Sequence, residues 1–528
     1  MSAVMNKKFR LVCWFVVVFL IAFLLFEWNS DKKRFYIESH MVLAEKELKT
    51  PLLNNDSVKI ENGLMSVTVS IKSGSIIEAR LKEYPVENVE GALGVRVFGY
   101  EKQGVGEEDF SYYFKSGFTG QASVYEVDYY DSGSVRLVNK ESGQYKLISF
   151  SKDSYEVLIE DGFPGFFEGK AYAGLYRTSG GSLDLKKDWL SGGMMNSGSY
   201  QGVAFSLEDA PYETSRLRGL DEGVEHLSRG GWVAFIQKYF FASIIGSEDY
   251  IYNYFAYAPV DESGEKDPGG VYRMGYVVES SNVNSGDNTH THRLFIGPKI
   301  RKDLMNRAPN LELSIDMGWF WFLAQPMVST MDFLNGFVNS WGITIIIFTV
   351  LIKLIFWPIT AKSFSSMAAM RRIAPDMAEI KERYKDDRQK QGTETMKLMK
   401  QHGANPLGGC LPMLIQMPFF IGFFFALREL VELRHSSLGI WQDLSVPDPF
   451  FIMPVLFAFL MFLTQRLNPQ PVGMDETQAQ VMKFMPIMFS FFFIVLPAGL
   501  CLYMVVNTSI QLLQQTMSYK KQGALGQG

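Results

Sequence analysis

The stretch "WGITIIIFTVLIKLIFWPIT", Trp341 to Thr360, is apolar for nearly the length of a bilayer crossing and carries Lys353 inside it. A crossing helix needs about 20 predominantly apolar residues, so the stretch predicts a membrane span over residues 342–360. A charge near the centre of such a helix costs about 2.5–3.5 kcal/mol on insertion-based scales. Two readings of Lys353 follow. It lies five residues before Pro358, about 7.5 Å of helix, so its ammonium can snorkel to the inner interface on a flexible stem. The other reading makes it a fixed positive charge on the wall of a wet cavity.

Outward from this span, composition divides the chain. Its 528 residues exceed one compact core. Hydrophobic residues reach 47% and aromatics 14%, yet mean hydropathy is near neutral, which points to a membrane part joined to a soluble part. A net charge of −5 argues against a general nucleic-acid binder. Cys13, Cys410 and Cys501 all lie in or beside apolar runs, so an exported middle domain must fold without disulfides. At the N-terminus, Lys7, Lys8 and Arg10 precede an apolar run from Leu11 to Phe26. Cationic flanks stay in the cytoplasm. Phe26, Glu27 and Trp28 stand where a cleavable signal has small residues, so residues 1–28 read as an uncleaved anchor. The apolar run follows Cys13, which argues against a lipoprotein.

Residues 29–314 have a different texture. "LMSVTVSIKSG" (Leu64–Gly74) alternates with period two, placing Val67, Val69 and Ile71 on one face. "YKLISFSKDSYEVLIED" (Tyr145–Asp161) repeats the pattern around a polar turn near Lys152–Ser154. Many such runs, separated by Gly, Ser and Asp, predict an all-β sandwich on the outside of the membrane. Residues 315–341, punctuated by aromatics and polar breaks, predict an interfacial amphipathic helix. The polar insert over 361–406 carries more basic than acidic residues and a stripe at Met370, Ile373, Met377, Ile380 and Tyr384. It predicts a cytoplasmic helical hairpin with Asp386–Asp387 at its tip. Further spans are predicted over 407–431 and 450–466. The last apolar stretch is too long for one crossing, and "LPAG" (Leu496–Gly499) divides it into spans over 482–496 and 500–515. The result is a multi-pass α-helical membrane protein of six transmembrane helices with an inserted all-β domain. Residues 29–341 lie outside and both termini lie in the cytoplasm, with a tail over 516–528.

Polar residues recur inside the spans. Thr349 lies one turn before Lys353 and shares its face; Gln416, Ser490, Asn507, Thr508 and Ser509 follow in later spans. Singly, Ser and Thr readily bond back to their own helix. No Walker loop, zinc-type cysteine set or nucleophile elbow is present, so the chain does not read as an enzyme and implies no cofactor. His290 and His292 stand two apart in "NTHTHR" without partner ligands nearby, which argues against a metal site.

"NPLGGCLPMLIQMPFF" (Asn405–Phe420), "RGGWVAFIQKYFF" (Arg229–Phe241), "GWFWFLAQP" (Gly318–Pro326) and "WPIT" (Trp357–Thr360) resemble the YidC-type membrane protein insertases of Gram-negative bacteria. The likeness runs along nearly the whole chain. It implies insertion and folding of inner-membrane proteins, alone or beside the Sec translocon, without ATP of its own. It implies that the external domain is a periplasmic β-supersandwich similar to galactose mutarotase. It also implies that the last five spans enclose a hydrophilic groove, open to the cytoplasm and the lipid and closed to the outside. Groove positions are Lys353, Thr349, Gln416, Ser490, Asn507 and Thr508; Met417, Phe420, Phe492, Tyr503 and Met504 match positions that contact an incoming helix. The family has arginine where Lys353 stands, so the charge is kept and the planar bidentate geometry is lost. Met504 stands where an aromatic is frequent. Implied partners are nascent membrane proteins, the Sec translocon, membrane lipids and the ribosome, with no nucleic acid.

Two other classes compete. A solute transporter or channel using Lys353 as an ion site would show inverted repeats or paired broken helices, and the sequence shows neither. A membrane-anchored sugar enzyme would need more than a mutarotase-like fold, since fold is not function. Many relatives extend into a longer basic tail, whereas Lys520 and Lys521 are the only basic residues after Tyr519. Removing residues 520–528 should therefore leave ribosome affinity essentially unchanged in a sedimentation assay, and a steep loss would contradict this reading.

Overall fold

In the strand Ser134–Val138, Val135 and Leu137 are buried while Arg136 is exposed, as a period-two pattern requires of a sheet with one covered face. The computed structural model describes residues 56–523, apart from 87, 90, 102–109, 120–123, 152, 165–168, 179–201, 218–219, 221–222, 259–270, 282–287, 318–319, 405–410 and 468–489. The predicted anchor over 1–28 and most of the span over 482–496 lie outside the described residues. The chain divides into two compact units near Asp316 and Met317.

The first unit holds two nine-stranded antiparallel sheets. Sheet one runs, in spatial order, through β1 (Ser57–Glu61), β2 (Met65–Ser70), β3 (Ile76–Pro85), β4 (Gly94–Glu101) and β5 (Phe110–Phe118). It continues through β10 (Ala171–Thr178), β17 (Val271–Ser281), β16 (Tyr250–Tyr257) and β13 (Val224–Arg229). Sheet two begins with β12 (Glu213–Arg216), β11 (Gly202–Ser206), β14 (Trp232–Ile236), β15 (Phe240–Ile245) and β18 (Asn288–Pro298). It ends with β9 (Glu156–Phe163), β8 (Tyr145–Phe150), β7 (Ser134–Val138) and β6 (Glu126–Tyr130). The sheets face each other, as the Tyr112–Phe235 edge-to-face contact at 5.7 Å between β5 and β14 shows. This is the all-β domain that the alternation predicts, and the polar turn after Phe150 joins β8 to β9 as an antiparallel hairpin.

The run "GGWVAFIQKYFF" departs from alternation because β14 and β15 are buried on both faces. The segment after β18 covers their outer side: Trp232 Nε1 donates to Pro309 O at 3.0 Å, and Asn310 Nδ2 to Ser206 Oγ at 3.4 Å. Gly231 turns the chain into β14 at φ +87°, where a Cβ would meet Ser206 O at 2.2 Å, so only glycine fits. The aromatics of this run are core residues of the β domain, which gives them a structural reason to be indispensable.

The second unit is helical. α1 (Arg301–Leu304) belongs to the segment after β18; the helical unit itself begins with α2 (Trp321–Val338). Asn339 ends α2 in the left-handed conformation at φ 51°, and α3 (Trp341–Ile355) starts after extended Ser340. The predicted span over 342–360 is not one straight helix: the axis bends by 66° between α3 and α4 (Trp357–Arg372). Pro358 is the cause, since it lacks an N–H and its ring opposes the carbonyl of Leu354. Two shorter helices, α5 (Ala374–Arg383) and α6 (Arg388–Gln401), pack together over Met370, Ile373, Met377, Leu398 and Met399. Asp387 caps α6 by accepting from Lys390 N at 3.0 Å. α7 (Leu411–Glu429), α8 (Ile452–Leu467) and α9 (Ala498–Lys521) complete the unit, with Pro497 opening α9 after the predicted turn. Among the described residues no single helix is long and apolar enough to cross a membrane, and the bent pair α3–α4 passes that test together.

One cluster of buried charge in the β domain links β5, β8, β9 and β18. Lys146 Nζ lies 2.7 Å from Asp161 Oδ1 and donates to Ser116 Oγ at 2.7 Å and Ser116 O at 3.0 Å. Ser116 Oγ donates to Asp161 Oδ2 at 2.6 Å; His292 Nε2 lies 3.3 Å from that oxygen, and His292 Nδ1 pairs with Tyr276 OH at 2.9 Å. Burial alone would raise the Asp161 pKa, but the Lys146 ammonium and the His292 ring outweigh it and hold the carboxyl below its usual range. His290 and His292 are thus core residues facing this network. Burial, reinforced by His292 and opposed by Asp161, pushes His290 down from 6.5 to about 3. The unfolded ring therefore binds a proton that the folded ring refuses across that window, so stability present above pH 6.5 is lost as pH falls towards 3. The loss is on the order of 4 kcal/mol. Urea unfolding at pH 7, 5 and 4, followed by near-ultraviolet circular dichroism, should show falling midpoints and a shallower fall in His290→Gln.

Candidate functional site

Helical periodicity sorts α3 into two faces of inverted character. Thr344, Ile345, Phe348, Thr349 and Lys353 are buried, while Ile343, Ile347, Val350, Leu351 and Leu354 are exposed, Leu354 to 61%. The outward face is wholly apolar, and the polar side chains Thr344, Thr349 and Lys353 lie inwards beside Ile345 and Phe348. α8 repeats the outward half, with Val455, Phe459 and Phe462 exposed. On α2, Trp321, Phe322, Phe333 and Phe337 are exposed opposite buried Ala324, Met327, Val328 and Met331.

Lys353 is 8% exposed, and its Nζ reaches Gln416 Oε1 on α7 at 3.5 Å. That contact sits at the outer limit of a hydrogen bond. Among the described residues no charged side chain joins it. Thr349, one turn earlier, satisfies its hydroxyl on Ile345 O at 2.6 Å, within its own helix. The structure thus brings Lys353 and Gln416 together and keeps Thr349 on the same buried face.

α9 supplies a polar row. Asn507 and Thr508 are buried, as are Gln514 and Gln515 two turns later. Asn507 Nδ2 and Gln514 Nε2 find no partner among the described residues, and seven residues set them about 10.5 Å apart on one face. Gln514 Oε1 lies 3.4 Å from Thr360 Oγ1 on α4, just past the bend. Ser490 is buried at the edge of a described stretch. Ser509 is exposed and donates to Val505 O at 2.7 Å, so it stands apart from this row. Thr360 and Gln514 were not singled out in the sequence, although the seven-residue step from Asn507 marks Gln514 as sharing its helix face.

Residues expected to touch an incoming helix fall into two groups. Tyr503 is buried against Phe423 at 4.4 Å, and Phe423 stacks on Phe348 at 5.6 Å, so the three rings tie α9, α7 and α3 together. Met417, Phe420, Phe492 and Met504 are half-buried and retain free surface. Among the described residues, Phe420 makes a distant ring contact to Phe493 at 6.4 Å. Chemically, the arrangement offers a cation beside a neutral amide, further unused amide donors, and soft apolar side chains. Among the described residues no group of three or more His, Cys, Asp or Glu is placed to hold a metal ion. Recognition of polar and acidic groups is what these atoms can do.

A family model described as a 60Kd inner membrane protein matches residues 333–524, and one described as the YidC periplasmic domain matches residues 57–330. The membrane protein insertase YidC of Pseudomonas entomophila is 34% identical over 491 residues, covering 88% of this chain and 83% of that protein. The corresponding protein of Hahella chejuensis is 36% identical over 482 residues, covering 89% and 80%. A crystal structure of an active YidC insertase aligns with 87% of this chain and 92% of its own, at 19% identity and a TM-score of 0.39.

The ring stack and the half-buried positions should separate by mutation. Phe423→Ala removes the middle ring of three and should destabilise the helical unit by about 3–5 kcal/mol, whereas Phe420→Ala should cost less than half of that. Denaturation midpoints of the full chain in mixed micelles measure both.

Proposed function

The chain belongs to the YidC-type membrane protein insertases, and from that premise we propose that its helical unit encloses a polar groove through which substrate tails begin to cross the inner membrane. The observation that carries this reading is the inverted polarity of α3. An apolar surface of this extent is rare on a soluble monomer, and lipid is the solvent in which it is stable. In lipid, a buried Lys353 beside Gln416 is tolerable only where water or polar groups replace its hydration.

In this reading α3, α7, α8 and α9, with the segment before Leu496, are the later spans of a six-span protein. α2 lies at the outer membrane surface on its exposed aromatics. The β domain lies in the periplasm, α5 and α6 lie in the cytoplasm, and both termini are cytoplasmic. The Lys353 field draws acidic residues of a substrate's external tail into the groove. The substrate's apolar segment then slides past Met417, Phe420, Phe492 and Met504 into lipid, and burial of its apolar surface completes the step. Asn507, Thr508, Ser490 and Gln514 offer hydrogen bonds to the polar tail on the way. Larger substrates are handled beside the Sec translocon.

A solute transporter using Lys353 is the competing class. A substitution series on Lys353, scored on one acidic-tailed and one neutral-tailed substrate at matched protein levels, separates the two readings and also tests snorkelling. Lys353→Arg should keep activity and Lys353→Glu should be worst. Lys353→Ala should lower insertion of the acidic-tailed substrate by roughly five- to thirty-fold, the factor that 1–2 kcal/mol of lost attraction gives. Equal activity of the alanine variant on both substrates would leave the lysine a bystander.

A further inference from the structure

The C-terminal ends of α4, α8 and α9 meet at one arginine. Arg371 Nη1 donates to the carbonyl of Leu467, the last residue of α8, at 3.3 Å. Its guanidinium lies over the Tyr519 ring of α9 at 5.8 Å. Tyr519 is fully buried against Phe364, Met367 and Ala368 of α4, and Leu467 packs on the same cluster. Gln522, just past the end of α9, donates to Ser365 Oγ on α4. Separate contacts thus tie the three ends together.

Cations crowd this point. Arg372 follows Arg371, Arg466 precedes Leu467, and Lys520 and Lys521 lie between Tyr519 and Gln522; all four are exposed. Among the described residues none of these four side chains has a hydrogen bond or an ion pair. α4, α8 and α9 contain no Asp or Glu. A cation at a helix C-terminus complements the dipole, and that is the plain structural explanation. It covers only part of the charge, because each terminus supplies about half a negative charge while five cations gather around three termini. The excess suits an anion from outside the chain.

α8 indicates which anion. Val455, Phe459, Phe462 and Arg466 follow one another at four, three and four residues, so they form one stripe of the helix. The first three are 65%, 56% and 49% exposed. An exposed apolar stripe ending in a guanidinium matches an acyl chain with a phosphate at its head. Inorganic phosphate or a nucleic-acid backbone would use the cations and leave the stripe idle.

We propose that an anionic phospholipid binds where α4, α8 and α9 end. Its phosphate lies among Arg372, Arg466, Lys520 and Lys521, and an acyl chain lies along Val455, Phe459 and Phe462. Arg371 holds the three ends in place through Leu467 and Tyr519. The membrane setting rests on the proposed function above, but lipid retention is read without any substrate; insertion of a small substrate by wild type, scored separately, reports on the insertase reading alone.

The full chain is placed in nanodiscs of equal phosphatidylcholine and phosphatidylglycerol, and retained lipid is counted by native mass spectrometry. Wild type should retain phosphatidylglycerol in preference to phosphatidylcholine. One cation near an anionic headgroup is worth about a fivefold factor in affinity. Arg466→Gln should therefore lower the preference about fivefold, and the triple variant R372Q/R466Q/K520Q about a hundredfold. Thermal midpoints in pure phosphatidylcholine should match wild type, and Arg466→Gln alone decides if the triple variant fails to fold. Unchanged preference in folded Arg466→Gln overturns the proposal. The control K381Q/K385Q/K400Q removes as many cations from α5, α6 and their connection and should leave the preference intact; an equal loss there reduces the effect to net charge and overturns the site. Excess inorganic phosphate should not displace the lipid, and full displacement would make this a free-phosphate site. Intact lipid preference in the triple variant together with lost ribosome sedimentation would assign the cluster to RNA instead.

Discussion

An ammonium held among apolar helices is the constraint from which the helical unit is organised. Moving such a charge out of water is costly unless polar atoms meet it, and here the atom that meets it is the neutral Oε1 of Gln416. Polar groups therefore have to be recruited to the inside of α3, α7 and α9, while Ile347, Leu351, Leu354 and Phe459 are displaced to the outside. The bend at Phe356 follows the same need, because it turns α4 so that Thr360 meets Gln514. The aromatic stack of Phe348, Phe423 and Tyr503 supplies the packing that holds these polar faces together.

The β domain solves the same electrostatic problem in the opposite way. Lys146 is buried even more deeply than Lys353, yet it contacts a carboxylate, a hydroxyl and a carbonyl. Such a closed network contributes little net stability against an apolar replacement, but removing one member leaves an uncompensated charge. A fully partnered lysine is structural. A lysine with one long contact to an amide among the described residues keeps capacity for a visitor, and that contrast is the physical basis for proposing that Lys353 handles substrates.

Much of this was legible in the sequence because periodicity reports burial directly. Val135 and Leu137 alternate with more exposed neighbours, and the β8–β9 hairpin was readable from its polar turn. The residues on the buried face of α3 were readable too, since Thr349 and Lys353 lie one turn apart. The bend between α3 and α4 was not read from the sequence: proline ends some helices and merely kinks others, and the choice depends on what the next turn packs against. The double burial of β14 and β15 escaped alternation because its cause, the segment around Pro309, lies about 70 residues away. Asp448 was not singled out in the sequence, and its three bonds, from Trp441 Nε1, Phe450 N and Met453 N, emerge only in the fold.

The central claim is that the buried face around Lys353, and not the outer face of α3, receives the substrate's polar tail. Site-specific photocrosslinking to a stalled, acidic-tailed nascent membrane protein tests it most directly, with a photoreactive residue placed at Gln416 in one variant and at Leu354 in another. The account predicts that the tail crosslinks from position 416 and not from position 354. Crosslinks to the tail from position 354 alone would contradict it.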